Sequence, residues 1–303
     1  MRPIFERTPD TAQEIIIHNC LHVLAVSILF YDHFITLGRE IEYIWKRPKS
    51  ISSYYFFLNR YTALLGTLVV TVLSLTTLPL QSCKNYNTAR QLLLIINQCI
   101  ICYLLSLRVY ALYGRSHWIR SLLGCTAAIL TAISFWLLRR QKIAPAEGIT
   151  GCHIGISDKT AIRMSGAWWA LFIYDALLFA LTVSKTWTTG KSYATSVLVS
   201  RILLRDGSVY FGVITLSNFA NILTYYFCGP FMRGGLSAFS ADISSTMMSH
   251  LMLNLHEVTN TGIHSTLELS HVELDTLWSE ALDCSSTTST ASHDHGANTD
   301  EES

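Results

Sequence analysis

The feature that most constrains this chain is a series of long apolar runs joined by short connections. Six runs each contain roughly 20 or more largely apolar residues, the number a helix needs to cross the ~30 Å hydrocarbon core of a bilayer. They lie at residues 15–37, 54–80, 92–113, 119–138, 167–187 and 209–231. In lipid only helices and closed barrels satisfy every backbone polar group, and the runs are continuous rather than alternating. The sequence therefore predicts an all-α membrane protein that spans the bilayer several times.

A weaker seventh run lies at residues 236–255 and contains several serines and Asp242. Its apolar residues follow helical spacing, so it is either an interfacial amphipathic helix or a span packed inside the bundle. We favour the packed span, because small Ser and Ala residues are common on packed membrane helix faces and six other helices would shield the polar side. The predicted fold is a bundle of seven transmembrane helices at residues 14–257, preceded by a short segment at 1–13.

The near-neutral total charge hides a division along the chain. All 22 Lys and Arg residues, and 10 of the 21 Asp and Glu residues, precede residue 234, so residues 1–233 carry a net charge of +12. A basic bundle suits anionic headgroups, and we expect the lipid bilayer as its partner. Residues 258–303 are acidic, rich in Ser and Thr and poor in large apolar residues, which predicts a disordered tail. The tail is either a solvated end or a phosphorylatable segment that binds a cytosolic partner.

Orientation depends on the first connection and on two cysteines. The first connection, GREIEYIWKRPKS, is dense in basic residues, and the first helix usually dominates orientation. Of eight cysteines, only Cys83 and Cys152 lie in connections, and both connections lie on the same predicted face. Because disulfides persist in oxidising compartments, we predict a Cys83–Cys152 bridge outside the cell. The amino terminus is then outside and the tail cytosolic, with the plasma membrane as a candidate location.

Polar residues inside apolar spans are costly and usually face the bundle interior. Asp32 and Arg60 lie at similar depths on neighbouring runs, and we predict that they form an intramembrane ion pair. A second set lies near the middle of later runs: Asn97, Gln98, Asp175, Asn218 and Asn221. This interior polar cluster either lines one cavity or makes ordinary interhelical hydrogen bonds.

Signals for catalysis are weak. His18 and His22 stand four residues apart, as a zinc pair would require, but His153 is the only evident third ligand on that face. We interpret them as packing or hydrogen-bonding histidines and expect no metal and no cofactor. The chain has no phosphate loop, no GxSxG and no nucleotide fingerprint, so we expect neither an enzyme nor a nucleic-acid partner.

Several segments carry a family resemblance. They are YDHFITLGREIEYIWKRP (31–48), FFLNRY (56–61), RVYALYGR (108–115), LLRDGSVYF (203–211) and SHLMLNLHE (249–257). Together they resemble a fungal family of multi-pass membrane proteins that carries the domain of unknown function 6533. The resemblance implies a multi-span protein with a variable cytosolic tail, and it implies no activity.

Two main classes of function remain, both with an unknown ligand. A receptor-like sensor would have seven spans, an outer disulfide and a Ser/Thr-rich cytosolic tail; Arg108, Val109 and Tyr110 stand where rhodopsin-like receptors keep Asp-Arg-Tyr, an analogy of architecture only. A transporter or channel would use the interior polar residues as a path, although we see no internal repeat or broken helix. An intramembrane enzyme is the third possibility.

Overall fold

The structure is a computed structural model that describes residues 9–46, 51–74, 76, 79–138, 144–145, 154–192 and 198–260. The described chain forms seven long helices: α1 (Pro9–Glu40), α2 (Ile51–Ser74), α3 (Leu80–Leu112), α4 (His117–Leu138), α5 (Asp158–Ser192), α6 (Leu198–Phe227) and α7 (Ser237–Asn260). A π-helical segment, Ile41–Trp45, continues α1 directly. Between α4 and α5, two short strands, β1 (Ala144–Pro145) and β2 (Ile154–Gly155), pair antiparallel. The predicted all-helical membrane class is confirmed, whereas the predicted tail and amino-terminal segment lie largely outside the described residues.

Five of the described helices are long and apolar enough to cross a membrane, as expected for an integral membrane protein. The apolar stretches are Thr11–Trp45, Ile51–Ser74, Asn85–Leu112, His117–Leu137 and Asp158–Thr188. Large apolar side chains cover the outside of the bundle, where they suit contact with lipid acyl chains; examples are Phe34, Leu65, Trp136 and Leu216.

Over the residues that the structure describes, the sixth and seventh helices contain no stretch that is long and apolar enough to meet the same standard. In α6 the hydropathy is lowered by Asn218 and Asn221, and in α7 by Asp242 and a run of serines. All three of these side chains are buried inside the bundle. The polar residues that weaken the hydropathy signal therefore face protein rather than lipid, and the count of seven spans stays a prediction.

Helix α7 lies inside the bundle rather than on its surface. It packs against α1, α2, α3 and α6, and none of its side chains at residues 237–257 is exposed. An interfacial amphipathic helix would keep one polar face exposed. The core includes Phe56 of α2, Leu104 of α3, Phe211 of α6 and Leu251 of α7, all with at most 1% of their surface exposed.

The bundle has two ends. At the amino-terminal face, Glu14 of α1 accepts a hydrogen bond from the backbone N–H of Phe231 in the α6–α7 turn (3.1 Å). On the same face the backbone N–H of Ile156 donates to Pro230 O (2.9 Å), so the α4–α5 connection lies here too. Gly234 turns the chain into α7 with φ 69°, a left-handed conformation that glycine adopts without strain. At the opposite, carboxyl-terminal face, Arg39 of α1 pairs with Glu257 of α7.

Candidate functional site

Polar side chains meet α7 in three groups. The α2–α3–α7 pocket contains Asp242 of α7; the Asp175 network contains Ser240; and the ionic cluster contains His250. The pocket and the Asp175 network lie at similar depth near the amino-terminal face, and the ionic cluster lies nearer the carboxyl-terminal face. One helix therefore contacts all three groups of polar residues.

The α2–α3–α7 pocket is a partly open cavity of about 30 Å³ between the helices, with room for one or two water molecules. Small residues on facing helices leave this space, namely Ala63 and Gly66 of α2 and Ala238 and Ala241 of α7. Its polar lining comes from four helices and consists of His22, Thr62, Thr67, Arg90, Asn97 and Asp242.

Two buried oxygen atoms in this pocket accept no hydrogen bond. The hydroxyl of Thr67 donates to Asp242 Oδ1 (2.9 Å), which leaves Asp242 Oδ2 buried without a partner. The side-chain amide of Asn97 donates to Ala241 O (3.5 Å), while its own Oδ1 is buried and unpaired. An unsatisfied buried acceptor costs about 1–3 kcal/mol, so these oxygens are placed to receive donors from a bound group.

The Asp175 network lies at the interface of α3, α5, α6 and α7. Asn218 Nδ2 donates to Asp175 Oδ2 (2.6 Å), and Ser240 Oγ donates to Asn218 Oδ1 (2.5 Å). Gln98 Nε2 reaches the same oxygen of Asn218 at 3.5 Å, and Cys102 Sγ lies 3.9 Å from Asp175 Oδ1. Both carboxylate oxygens of Asp175 thus have donors, whereas Asp242 in the pocket has a donor for only one of its two oxygens.

The structure divides the interior polar cluster that the sequence predicts. Asp175, Asn218 and Gln98 come together in the Asp175 network. Asn97 lines the α2–α3–α7 pocket instead. Asn221 lies one turn beyond Asn218 on α6, and its buried side-chain amide has no hydrogen-bond partner.

The ionic cluster contains a buried ion pair between Glu40 and Arg60. Arg60 Nε lies 2.9 Å from Glu40 Oε2, and the two side chains are 5% and 0% exposed. Glu40 Oε1 accepts hydrogen bonds from Trp45 Nε1 (2.9 Å) and from the hydroxyl of Tyr61 (3.0 Å). The π-helical segment explains the first contact, because i→i+5 spacing brings Trp45 back beside Glu40.

Arg60 makes further contacts with α1. Its Nη2 donates to Thr36 Oγ1 (2.5 Å) and to His33 O (3.1 Å), and its Nε lies 3.0 Å from His33 Nδ1. The guanidinium group therefore contacts His33, Thr36 and Glu40, which all lie in the last two turns of α1.

Asp32 and Arg60, the predicted intramembrane ion pair, have other direct partners. Asp32 Oδ1 lies 2.6 Å from His250 Nε2 of α7, and Arg60 pairs with Glu40. The reason is that α7 packs against both α1 and α2, which offers Asp32 a histidine, while Glu40 lies two turns nearer the end of α1. Asp32 and Arg60 still line one small cavity.

Further contacts tie the end of α7 to its neighbours. Arg39 Nη2 donates to Asn254 Oδ1 (2.8 Å) and pairs with Glu257. Ser52 Oγ lies 3.1 Å from His256 Nε2, and Asn254 Nδ2 donates to the hydroxyl of Tyr210 (2.9 Å). The last turns of α7 therefore hold polar contacts to α1, α2 and α6.

His22, one of the two weak metal candidates on α1, contacts α2 in the structure. His22 Nε2 lies 3.0 Å from Thr71 Oγ1, and His153, the third candidate ligand, lies outside the described residues. Within the described ranges, no group of three or more His, Cys, Asp or Glu side chains could hold a metal ion. Cys83 is disulfide-bonded, but Cys152 lies outside the described part, so the predicted pairing stays a prediction.

Sequence reasoning missed three residues that the structure makes important. Glu40 was assigned to a connection, although its position eight residues after Asp32 places it near the same side of one helix. His250 was not considered as a partner because its helix was the weakest run. Asp242 was counted against a transmembrane helix, whereas a carboxylate in an otherwise apolar run could have indicated a site.

Comparison with known proteins adds one match. Residues 20–65 match the model of a family described as "Family of unknown function (DUF6533)". This stretch contains Asp32, His33, Glu40 and Arg60, and therefore most of the ionic cluster. No curated protein and no solved structure matches the chain.

Proposed function

We propose that this integral membrane protein is a receptor-like sensor, in which α7 connects the α2–α3–α7 pocket to the ionic cluster and to the tail. The observation that carries the proposal is that α7 lies inside the bundle, with every residue at 237–257 buried or half-buried. Asp242 and His250 lie on this one helix, eight residues or ~12 Å apart. A group bound near Asp242 would shift α7. The other end of this helix contacts Asp32 of α1 through His250, and Arg39 of α1 through Asn254 and Glu257.

The pocket, the Asp175 network and the ionic cluster differ in how completely their polar side chains are paired. The Asp175 network and the ionic cluster hold their carboxylates in hydrogen bonds or ion pairs, while the pocket leaves Asp242 Oδ2 and Asn97 Oδ1 unpaired. Packed helix interfaces with discrete arrangements are the elements through which coupling travels. This contrast supports a binding end and a responding end on the same helix.

The proposed orientation places the pocket toward the outside of the cell. Disulfide-bonded Cys83 begins α3 at the amino-terminal face, and such bonds persist in oxidising compartments. The tail that follows α7 would then be cytosolic, where phosphorylation and partner proteins could act on it. Tag-protection assays at the two ends test this topology: both tags on one side would refute seven spans.

Hydrogen–deuterium exchange on the full chain in lipid nanodiscs tests the coupling. Asp242→Asn removes one charge at the pocket and should change exchange at residues 250–260 and 39–46, which it does not contact. The matched control is Asp158→Asn, an exposed carboxylate on α5 that pairs with Arg233 at the amino-terminal face; it lies at the end of the bundle opposite these segments and should leave them unchanged. Changes confined to residues around the pocket, with residues 250–260 and 39–46 unchanged, would refute the sensor, and solute flux in reconstituted vesicles would favour the transporter instead.

A further inference from the structure

The α2–α3–α7 pocket holds charges of both signs that are not paired with one another. Arg90 of α3 lines the pocket and has no hydrogen bond or ion pair among the described residues. Asp242 and Asn97, 4% and 6% exposed, each present one unpaired oxygen. A guanidinium group recognises an anion, and unpaired carboxylate and amide oxygens recognise N–H donors.

The two kinds of group lie at different depths in the pocket. Arg90 and Asn97 are seven residues apart on α3, which is two turns or ~10 Å along one helix face. Asn97 is beside Ala241, the residue before Asp242, so the two unpaired oxygens share the deeper level. His22 lies at the level of Thr71, one turn nearer the amino-terminal face than Thr67.

We propose that this pocket binds a zwitterionic ligand that carries a protonated primary amine and an anionic phosphate or carboxylate. The ammonium group donates to Asp242 Oδ2 and Asn97 Oδ1, and the anionic group pairs with Arg90 nearer the pocket mouth. Such a ligand satisfies both oxygens and the free cation at once, whereas a ligand of one charge leaves the other group unpaired. The amine carries N–H bonds, since a quaternary ammonium has no hydrogen to donate.

This ligand chemistry has two possible sources, a free zwitterion or the headgroup of an ethanolamine phospholipid. The site lies in the half of the bundle near the amino-terminal face: Asp242 is five residues into α7, and Thr67 is seven residues from the end of α2. Because the cavity has room for only one or two water molecules, a headgroup or a solute separates the helices that line it when it binds. This zwitterion is the ligand class of the proposed sensor. Its binding is independent of that proposal, whereas the response of α7 to binding rests on it.

Calorimetric titration of the purified full chain in micelles provides the first test. Phosphoethanolamine should bind saturably, and ethanolamine, methyl phosphate and phosphocholine should each bind at least about tenfold more weakly. In a second arm, native mass spectrometry measures retention of phosphatidylethanolamine over phosphatidylcholine from mixed nanodiscs. Binding in the first arm identifies a free zwitterion and selective retention in the second identifies the lipid; no selectivity in either arm overturns the inference.

Paired variants locate the site. Asp242→Asn and Arg90→Gln should each weaken binding by about tenfold or more, since each removes a charged partner. Asp158→Asn and the exposed Arg120→Gln are the matched controls and should bind as the parent does. Unchanged binding in the pocket variants overturns the inference, and if a variant does not fold, the selectivity of the unmodified chain decides.

Measuring exchange at residues 250–260 with and without phosphoethanolamine, or with and without phosphatidylethanolamine in the nanodisc, separates the two proposals. Selective binding that leaves this segment unchanged refutes the sensor and keeps the ligand assignment. Failure of all selective binding refutes the ligand assignment, while the exchange response to Asp242→Asn still tests the sensor.

Discussion

The buried pair of Glu40 and Arg60 should dominate the stability of the carboxyl-terminal half of the bundle. Glu40→Gln keeps an oxygen for Trp45 and Tyr61 and removes only the charge that faces Arg60. Removing one member of a buried ion pair leaves the other charge uncompensated and costs about 3–5 kcal/mol. We expect that loss for Glu40→Gln, and a similar loss for Arg60→Met, which keeps an unbranched apolar side chain.

The double variant distinguishes a coupled pair from two independent residues. Independent losses would add to about 6–10 kcal/mol, whereas the Glu40→Gln, Arg60→Met double variant buries no uncompensated charge and should cost less than either single variant. Unfolding by SDS titration in mixed micelles, followed by tryptophan fluorescence, measures each free energy. Additive losses would refute the reasoning.

A second cycle tests which carboxylate is the principal partner of Arg60. Asp32→Asn combined with Arg60→Met should show a smaller coupling energy than the cycle with Glu40, because Asp32 bonds His250 rather than Arg60. A larger coupling for Asp32 would restore the pair that the sequence predicts and would contradict the geometry described above.

Two further variants, one of them with a control, test other parts of the bundle. Gly229→Ala should destabilise by about 0.5–1.5 kcal/mol, because the new Cβ would lie 1.7 Å from Glu14 Oε1 and move this half-buried carboxylate away from the N–H of Phe231; Gly124→Ala, with no atom within 4 Å of the new Cβ, should be neutral or slightly stabilising in the same SDS titration. Asp175→Asn should fold and reach the membrane, because its oxygen still accepts from Asn218, but should abolish the ligand-dependent exchange change at residues 250–260. A folded variant that keeps the full response would reduce the Asp175 network to interhelical packing.

Much of the architecture follows from apolar length, because a helix that crosses lipid must be long and continuous. The packing of α7 was also predictable, since a helix with Asp242 and several serines needs neighbours on every side. The partners of Asp32 and Arg60 were not predictable: similar depth is a one-dimensional argument, and it does not show that α7 packs against both α1 and α2. The contact between Trp45 and Glu40 depends on a π-helical segment, which the apolar pattern does not reveal.

The buried position of α7 has a consequence for how the protein is made. An Asp in an inserting helix costs up to about 2.5–3.5 kcal/mol, the value at the helix centre, and Asp242 five residues into α7 carries part of that cost, so α7 is a poor substrate for insertion into lipid by itself. Until α7 arrives, the surfaces of α1 and α2 that it covers leave Asp32 and Asn59 without their partners His250 and Ser249. The polar face of α7 and the polar surfaces of α1 and α2 therefore supply each other's missing partners. We expect α7 to enter the membrane as it packs against the bundle.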